Sequence, residues 1–318
     1  MTPPVTSRRS NAGFWSSARS FFLPLGSQID PGAVRGYPID MRVKADSSVW
    51  PQPDLVAPGA LHVETVQYGL GCFERWLSGE GEQWLEAALA VSKHLLSIQE
   101  SDGSWLHSKA FPHTFSVPAP WASGITQGEG ASLLVRLHLE TGEPELAAAA
   151  RLALLPLSTP QAEGGLCGEL GGLPWPEEYP TTPQSHVLNG AIFALWGLRD
   201  VAVGLGDRDA GRHFEDGVDS LAANLDRYDA GYWSYYSLFP HPMRNPASSF
   251  YHALHVSQLE AMQRLAPRPV FAETRIRWEG YARSSICSVR AFAAKATFRL
   301  LVPRKPYSAR RLWRHRRQ

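Results

Sequence analysis

Glu177-Glu178-Tyr179-Pro180-Thr181-Thr182-Pro183 runs directly into Gln184-Ser185-His186-Val187-Leu188-Asn189, and the change of character across these residues sets the architecture. Pro180 and Pro183 restrict the backbone and remove two amide donors, so the segment is neither a helix interior nor a central strand. Behind it, Val187, Leu188, Ile192, Leu195 and Trp196 recur at helical spacing, with Ser185 placed as an N-cap. The unit reads as a stiff polar loop feeding the start of a buried helix. Such a loop displays either catalytic groups or plain surface charge, and the loop taken alone does not separate the two.

The same alternation recurs along the chain. Apolar residues at helical spacing predict helices over 61–77, 82–99, 124–140, 144–154, 185–203, 209–225, 249–265 and 270–300, the last as one helix or two. Three longer polar loops, 100–122, 158–184 and 226–248, separate them. Helix pairs alternating with long aromatic loops predict a mainly α fold, an α/α barrel or toroid whose loops line a cleft at one end. No fixed sequence period supports a solenoid. Residues 1–60 lack helical periodicity and form an irregular segment in which Tyr37-Pro38-Ile39-Asp40-Met41-Arg42-Val43 suits a short edge strand. The expected organisation is an N-terminal segment (1–60), a helical catalytic domain (61–300) and a basic tail (301–318).

With 318 residues the chain can bury one large core or two modest ones. Its net charge of +1 hides an asymmetry: beyond Arg268 the only acids are Glu273 and Glu279, and the chain ends Arg310-Arg311-Leu312-Trp313-Arg314-His315-Arg316-Arg317. Such a tail is either a solvated end or a contact for an anionic membrane surface. No aromatic-and-basic motif elsewhere points to nucleic acid. Cys72, Cys167 and Cys287 form neither a metal pattern nor a disulfide framework. The start, from Arg8-Arg9 to Phe21-Phe22-Leu23, is too interrupted for a signal peptide, and no stretch suggests a membrane span. A cytoplasmic protein, peripheral at the inner membrane surface and paired as a homodimer, is the expectation.

Four constellations carry chemistry. Gly69 and Gly71 within a helix point to tight packing, which leaves Tyr68 beside them as a ligand contact. Trp121-Ala122-Ser123-Gly124-Ile125-Thr126-Gln127-Gly128-Glu129-Gly130 opens a helix with small residues that let amides and Gln127 face a ligand; phosphate-loop spacing is absent. Asn189 sits about one turn into the helix behind the opening loop if that helix begins near Ser185. The stretch 228–255 holds Tyr236, His241, Arg244, Asn245, Tyr251, His252 and His255. His252 and His255 are spaced for a metal pair, but no carboxylate accompanies them, and neither a metal nor a cofactor is expected. A phenol is a poor base unless a cation lowers its pKa, which Arg244 would do for Tyr236 and Tyr251. That pairing suits proton abstraction beside a carboxylate; the alternative is that the rings only stack.

These motifs resemble the D-glucuronyl C5-epimerase family over roughly residues 61–265. The carriers are Trp121 through Gly128, Glu177 through Gly190, and Asn245 through Tyr251-His252 to His255. The resemblance implies an α/α-barrel catalytic domain acting on a uronate-containing glycan, converting glucuronic to iduronic acid units. It implies proton exchange at Tyr236 and Tyr251, with Glu178 beside them. It also implies substrate contacts at Ile125, Thr126, Gln127, Gly128, Tyr179, Asn189, Asn245 and His252. Calcium in the animal members lies largely in a β-rich region ahead of this domain, so no metal is carried over. A family tyrosine one turn after the Asn is Phe193 here, and the family arginine after the first tyrosine is missing from Ser237-Leu238-Phe239, with Arg244 as its substitute. A uronate lyase, sharing the proton-abstraction step, and a glycan-binding protein without chemistry are the alternatives.

Overall fold

The computed structural model describes residues 24–26, 28–48 and 62–304. The basic tail from 305 and the aromatic start before 24 lie outside the described residues, as do 49–61. The fold is mainly helical: α1 (His62–Leu77), α2 (Gln83–Ile98), α3 (Gly124–Thr141), α4 (Pro144–Leu152), α5 (Leu188–Leu205), α6 (Arg208–Asn224), α7 (Ser249–Leu265), α8 (Pro269–Arg283) and α9 (Ser285–Leu301). The stretch 270–300 is thus two helices, divided at Ser284, whose hydroxyl accepts from Cys287 N at 3.3 Å and caps α9. Gly142 and Gly206 end α3 and α5 with φ of 75° and 65°, backbone that side chains with a Cβ rarely adopt.

The helices pack as antiparallel pairs, α1 with α2, α3 with α4, α5 with α6 and α7 with α8, and the first members follow one another as α1, α3, α5 and α7. Helices α3 and α5 are the centre, buried on nearly every side through most of their length. They cross where Gly197 meets Gly128, backbone to backbone; a Cβ on Gly128 would meet Phe193 O at 2.5 Å. Contrary to the expectation above, one described helix, α5, is long and apolar enough to cross a membrane; it is 78% buried inside the protein, as a core helix is. Gly69 serves packing as well, since a Cβ there would meet Leu133 at 2.6 Å and Val91 at 2.9 Å.

Residues 34–45 belong to the same core. Val34, Tyr37, Ile39, Met41 and Ala45 are all buried in it. Glu74 accepts from Tyr37 N at 2.8 Å and Met41 N at 2.7 Å, and Arg136, paired with Asp200 at 2.6 Å, donates to Arg35 O and Gly36 O. The edge strand expected at 37–43 is not formed: Ile39 makes a single bridge to Leu25, and Arg42–Ala45 is a 3-10 turn. Tyr37 N and Met41 N are spent on Glu74, which leaves the stretch only the short bridge in which Asp40 N donates to Pro24 O at 2.8 Å.

The three polar loops fold back as two-stranded ribbons, which alternation in so few residues does not announce. They are β1 (Phe111–Pro112) with β2 (Ser116–Val117), β3 (Cys167–Leu170) with β4 (Leu173–Pro176), and β5 (Tyr235–Ser237) with β6 (Asn245–Pro246). All three loops converge in a second cluster of buried rings containing Phe115, Trp121, Tyr179, Trp233 and Tyr236.

Candidate active site

The opening loop uses its two acids differently. Glu177 is fully buried, and its carboxylate accepts from Ser185 N at 3.1 Å, Ser185 Oγ at 2.5 Å and His186 N at 2.9 Å. Ser185 is therefore not an N-cap. Its hydroxyl points back to Glu177, His186 adopts φ 46°, and α5 begins at Leu188, so Asn189 lies in the first turn rather than a full turn in. The loop leaves through a bridge between Val187 and Ser237, which ties it to the strand bearing Tyr236.

Glu178 turns the other way. Its side chain lies over Gly190, its Oε2 has no hydrogen-bond partner among the described residues, and burial pushes its carboxyl up to about 8. Tyr179 and Tyr236 gather beside Glu178 around the His113 ring, and the charge of Glu178 acts on both phenols. Tyr251 meets Tyr236 edge to face with ring centroids 4.8 Å apart. Burial raises all three phenols, Tyr251 to about 12, with Glu178 adding to the rise and Arg304 and Arg299 opposing it at Tyr251. At neutral pH these tyrosines hold their protons, while the Glu178 carboxyl titrates near neutrality.

Further groups complete the cluster, His113 among them without having been singled out from the sequence. His113 lies 5.5 Å from Tyr179 and 5.9 Å from Tyr236 by ring centroids, and burial pushes it down to about 3, so it is neutral. Trp121 packs on Tyr179 at 5.6 Å and on His107 at 4.1 Å. Beneath, Glu129 accepts from Gln67 Nε2 at 3.1 Å, and burial raises it to about 8, with Glu178 contributing. Glu129 Oε2, Thr126 Oγ1, Asn189 Oδ1 and Gln258 Oε1 have no partner among the described residues, although all are buried. Buried polar atoms left open in this way suit a polar ligand. Glu129 lies in the small-residue stretch that opens α3, one position past the Ile125–Gly128 run and three residues beyond Thr126, the spacing that puts those two on one helix face.

The other candidates are scattered. Gln127 is enclosed: its Oε1 accepts from Trp105 N, and its Nε2 donates to Gly103 O and Ala153 O, so its valences are spent on backbone. Ile125 and Gly128 are buried beside it. Tyr68 is half-buried near Cys72, raised to about 12 by burial, and stands outside the aromatic cluster. Arg244 is exposed, 5.9 Å over the Tyr235 ring, and lines a cavity of about 600 Å³ with Arg227, His186 and Leu238. Among the charges acting on the Tyr236 and Tyr251 phenols are Arg299 and Arg304, not Arg244. Asn245 Oδ1 accepts from Lys295 Nζ at 2.7 Å. His252 is fully buried, stacked on Trp233 at 3.8 Å; it accepts from Ser234 N at Nδ1 and donates from Nε2 to Trp278 O. His255 shares Ser234 Oγ with it at 2.9 Å, and no group of three or more metal-binding side chains occurs among the described residues.

The arrangement is one that can move a proton: a carboxyl raised toward neutrality by burial lies among three raised phenols. The chain is 31% identical over 220 residues to the D-glucuronyl C5-epimerase of Caenorhabditis elegans, covering 63% of this chain and 36% of that protein. It is 26% identical over 177 residues to an uncharacterized protein of Methanocaldococcus jannaschii, covering 51% of this chain and 57% of the relative. The chain thus spans well under two thirds of either relative. The family described as D-glucuronyl C5-epimerase C-terminus matches residues 99–280, a span that holds all three ribbons, Glu178, Tyr236 and Tyr251. That span is more than half of the chain, which therefore belongs to the D-glucuronyl C5-epimerase C-terminal family.

Proposed function

We propose that the chain epimerises C5 of D-glucuronate units to L-iduronate in a polysaccharide or lipid-linked oligosaccharide. The observation that carries this reading is the buried cluster in which the Glu178 carboxyl acts on the Tyr179 and Tyr236 phenols, with Tyr251 edge to face against Tyr236. We read the row of helical pairs as an α/α toroid whose loops at one end close on the sugar.

Proton removal next to a carboxylate needs a base whose pKa lies near the working pH. With its carboxyl raised to about 8, Glu178 is partly ionised at neutrality, whereas the raised phenols are not. In its carboxylate form Glu178 takes the C5 proton, and the C–H electron pair moves into the sugar carboxylate as an enediolate. A phenol of the Tyr236–Tyr251 pair returns a proton to the opposite ring face. Tyr179 then passes the Glu178 proton back to that pair, restoring both groups. Open acceptors on Asn189 and Glu129 suit sugar hydroxyls, and the faces of Trp121 and His113 suit the C–H face of the ring.

The test is incubation of a glucuronate-containing oligosaccharide with the protein in deuterated water, read by NMR. Deuterium at C5 together with iduronate is the expected result. Absence of both would reject the reading, and an ultraviolet-absorbing unsaturated uronate would mean elimination instead.

A further inference from the structure

The enediolate carries a second negative charge on the sugar carboxylate, which a cation or an aimed hydrogen-bond donor there would stabilise. Arg244, the candidate from sequence, lines a separate cavity. A cation does reach the cluster, from an element beyond the family match: α9 begins at Ser285, and the matched region ends at 280.

Helix α9 is inverted relative to an ordinary surface helix, which turns its apolar face inward. Ile286, Val289, Phe292 and Leu300 are 82%, 70%, 76% and 84% exposed. Its inward face is Ala291, Lys295, Phe298 and Arg299. Ala291 packs into the ring cluster of Trp121, Tyr179 and Tyr236. Lys295 Nζ donates to Asn245 Oδ1 and Pro246 O, both at 2.7 Å, and so pins the helix to β6, which pairs with the strand of Tyr236. Phe298 is fully enclosed, 5.3 Å from His241. Arg299, next along, has its guanidinium 5.9 Å over the Phe298 ring. Its Nη1 is buried with no hydrogen-bond partner among the described residues. Its charge acts on the Tyr236 and Tyr251 phenols, as does that of Arg304. A buried guanidinium donor left open here suits an anion. Lys295 cannot fill the role, because its ammonium is spent on Asn245 and Pro246.

We propose that Arg299 binds the carboxylate of the sugar whose C5 faces Tyr236 and Tyr251. The proposal rests on the uronate reading of the site, and binding tests it separately from turnover. Calorimetry on the full chain would compare a glucuronate–N-acetylglucosamine oligosaccharide with its carboxyl-reduced, neutral counterpart. Wild type is expected to prefer the charged chain, and Arg299→Ala to weaken its binding about 10- to 100-fold while leaving the neutral chain unaffected, the size of one lost charge-assisted bond. Arg299→Lys should keep part of the preference, and added guanidinium should restore some C5 exchange to Arg299→Ala. Arg290→Ala, on the same helix but stacked on Tyr232 at 4.0 Å, controls for damage to α9 and should keep the preference. If wild type prefers the charged chain and Arg299→Ala loses that preference, yet neither exchanges C5, the proposal stands and the epimerase reading falls. Equal or absent binding of both chains by wild type overturns the proposal, as does an unchanged preference in Arg299→Ala.

Discussion

Glu177 and Glu178 are neighbours in sequence that the fold turns to opposite ends: Glu177 closes on the amides of Ser185 and His186, while Glu178 enters the ring cluster with one oxygen free. One carboxylate builds the loop and the other uses it. Substitution should separate them. Glu177→Ala strands buried donors and should cost about 1–3 kcal/mol of stability, whereas Glu178→Gln keeps the shape, removes a costly buried charge and should leave stability equal or higher. Urea denaturation checks both, and C5 exchange should fall in Glu178→Gln despite its intact fold. Equal destabilisation by the two would contradict the division.

Stability should depend on pH through Glu129 and Glu178. Both are raised to about 8 by burial, against an unfolded carboxyl near about 4.3. A group with a raised folded pKa favours the fold fully below its unfolded pKa and loses that contribution as pH rises through the folded value. Glu129→Gln should therefore gain on wild type between about pH 4.3 and 8. Denaturation midpoints of the two proteins across that range measure it; parallel curves would mean that Glu129 is ionised when folded.

The rate of C5 exchange should rise with pH toward a plateau, with an apparent pKa near the value of about 8 held by the Glu178 carboxyl. Removing that carboxyl as Glu178→Gln should abolish the limb along with most of the rate. A limb that survives in Glu178→Gln would assign the base elsewhere.

Tyr236→Phe and Tyr251→Phe remove a proton without emptying the cluster, since both rings keep their packing. Each should lower C5 exchange about 10²- to 10⁴-fold, the usual worth of one acid–base group, with glycan affinity changed only a few-fold. Full exchange in both variants would leave the phenols as stacking surfaces.

Gln127 is a test of structure against ligand contact. It serves three backbone groups, Trp105 N, Gly103 O and Ala153 O, so Gln127→Ala should lower stability by about 2–4 kcal/mol. A variant of native stability with weakened glycan binding would show instead that the amide faces substrate.

Local patterns carried far in this chain. Apolar spacing marked the helices to within a few residues, because each buries one face and the period is written along the chain itself. The glycines of α1 read as close-packing positions for the same reason, whereas Gly128 of α3, read as a ligand contact, packs against the backbone of α5. The ribbons were less legible, being two to four residues per strand, too few for alternation to show. Ser185 had the chemistry of a cap and lost that role to Glu177, a competition between residues eight apart that cap rules do not weigh.

By itself, the sequence determined a mainly helical chain, the loops that bear its acids and phenols, and the family to which they belong. Tertiary structure alone decided which of those groups meet. It joined Glu178, Tyr179 and Tyr236, buried His252 between tryptophans, sent Gln127 to the backbone, and turned Arg244 to a separate cavity while Arg299 came in from the last helix. The physical reason is range. Helical periodicity is set by neighbours three and four residues apart, but a pKa near neutrality and an unpartnered guanidinium arise from burial by segments distant in the sequence, and no local pattern encodes that meeting.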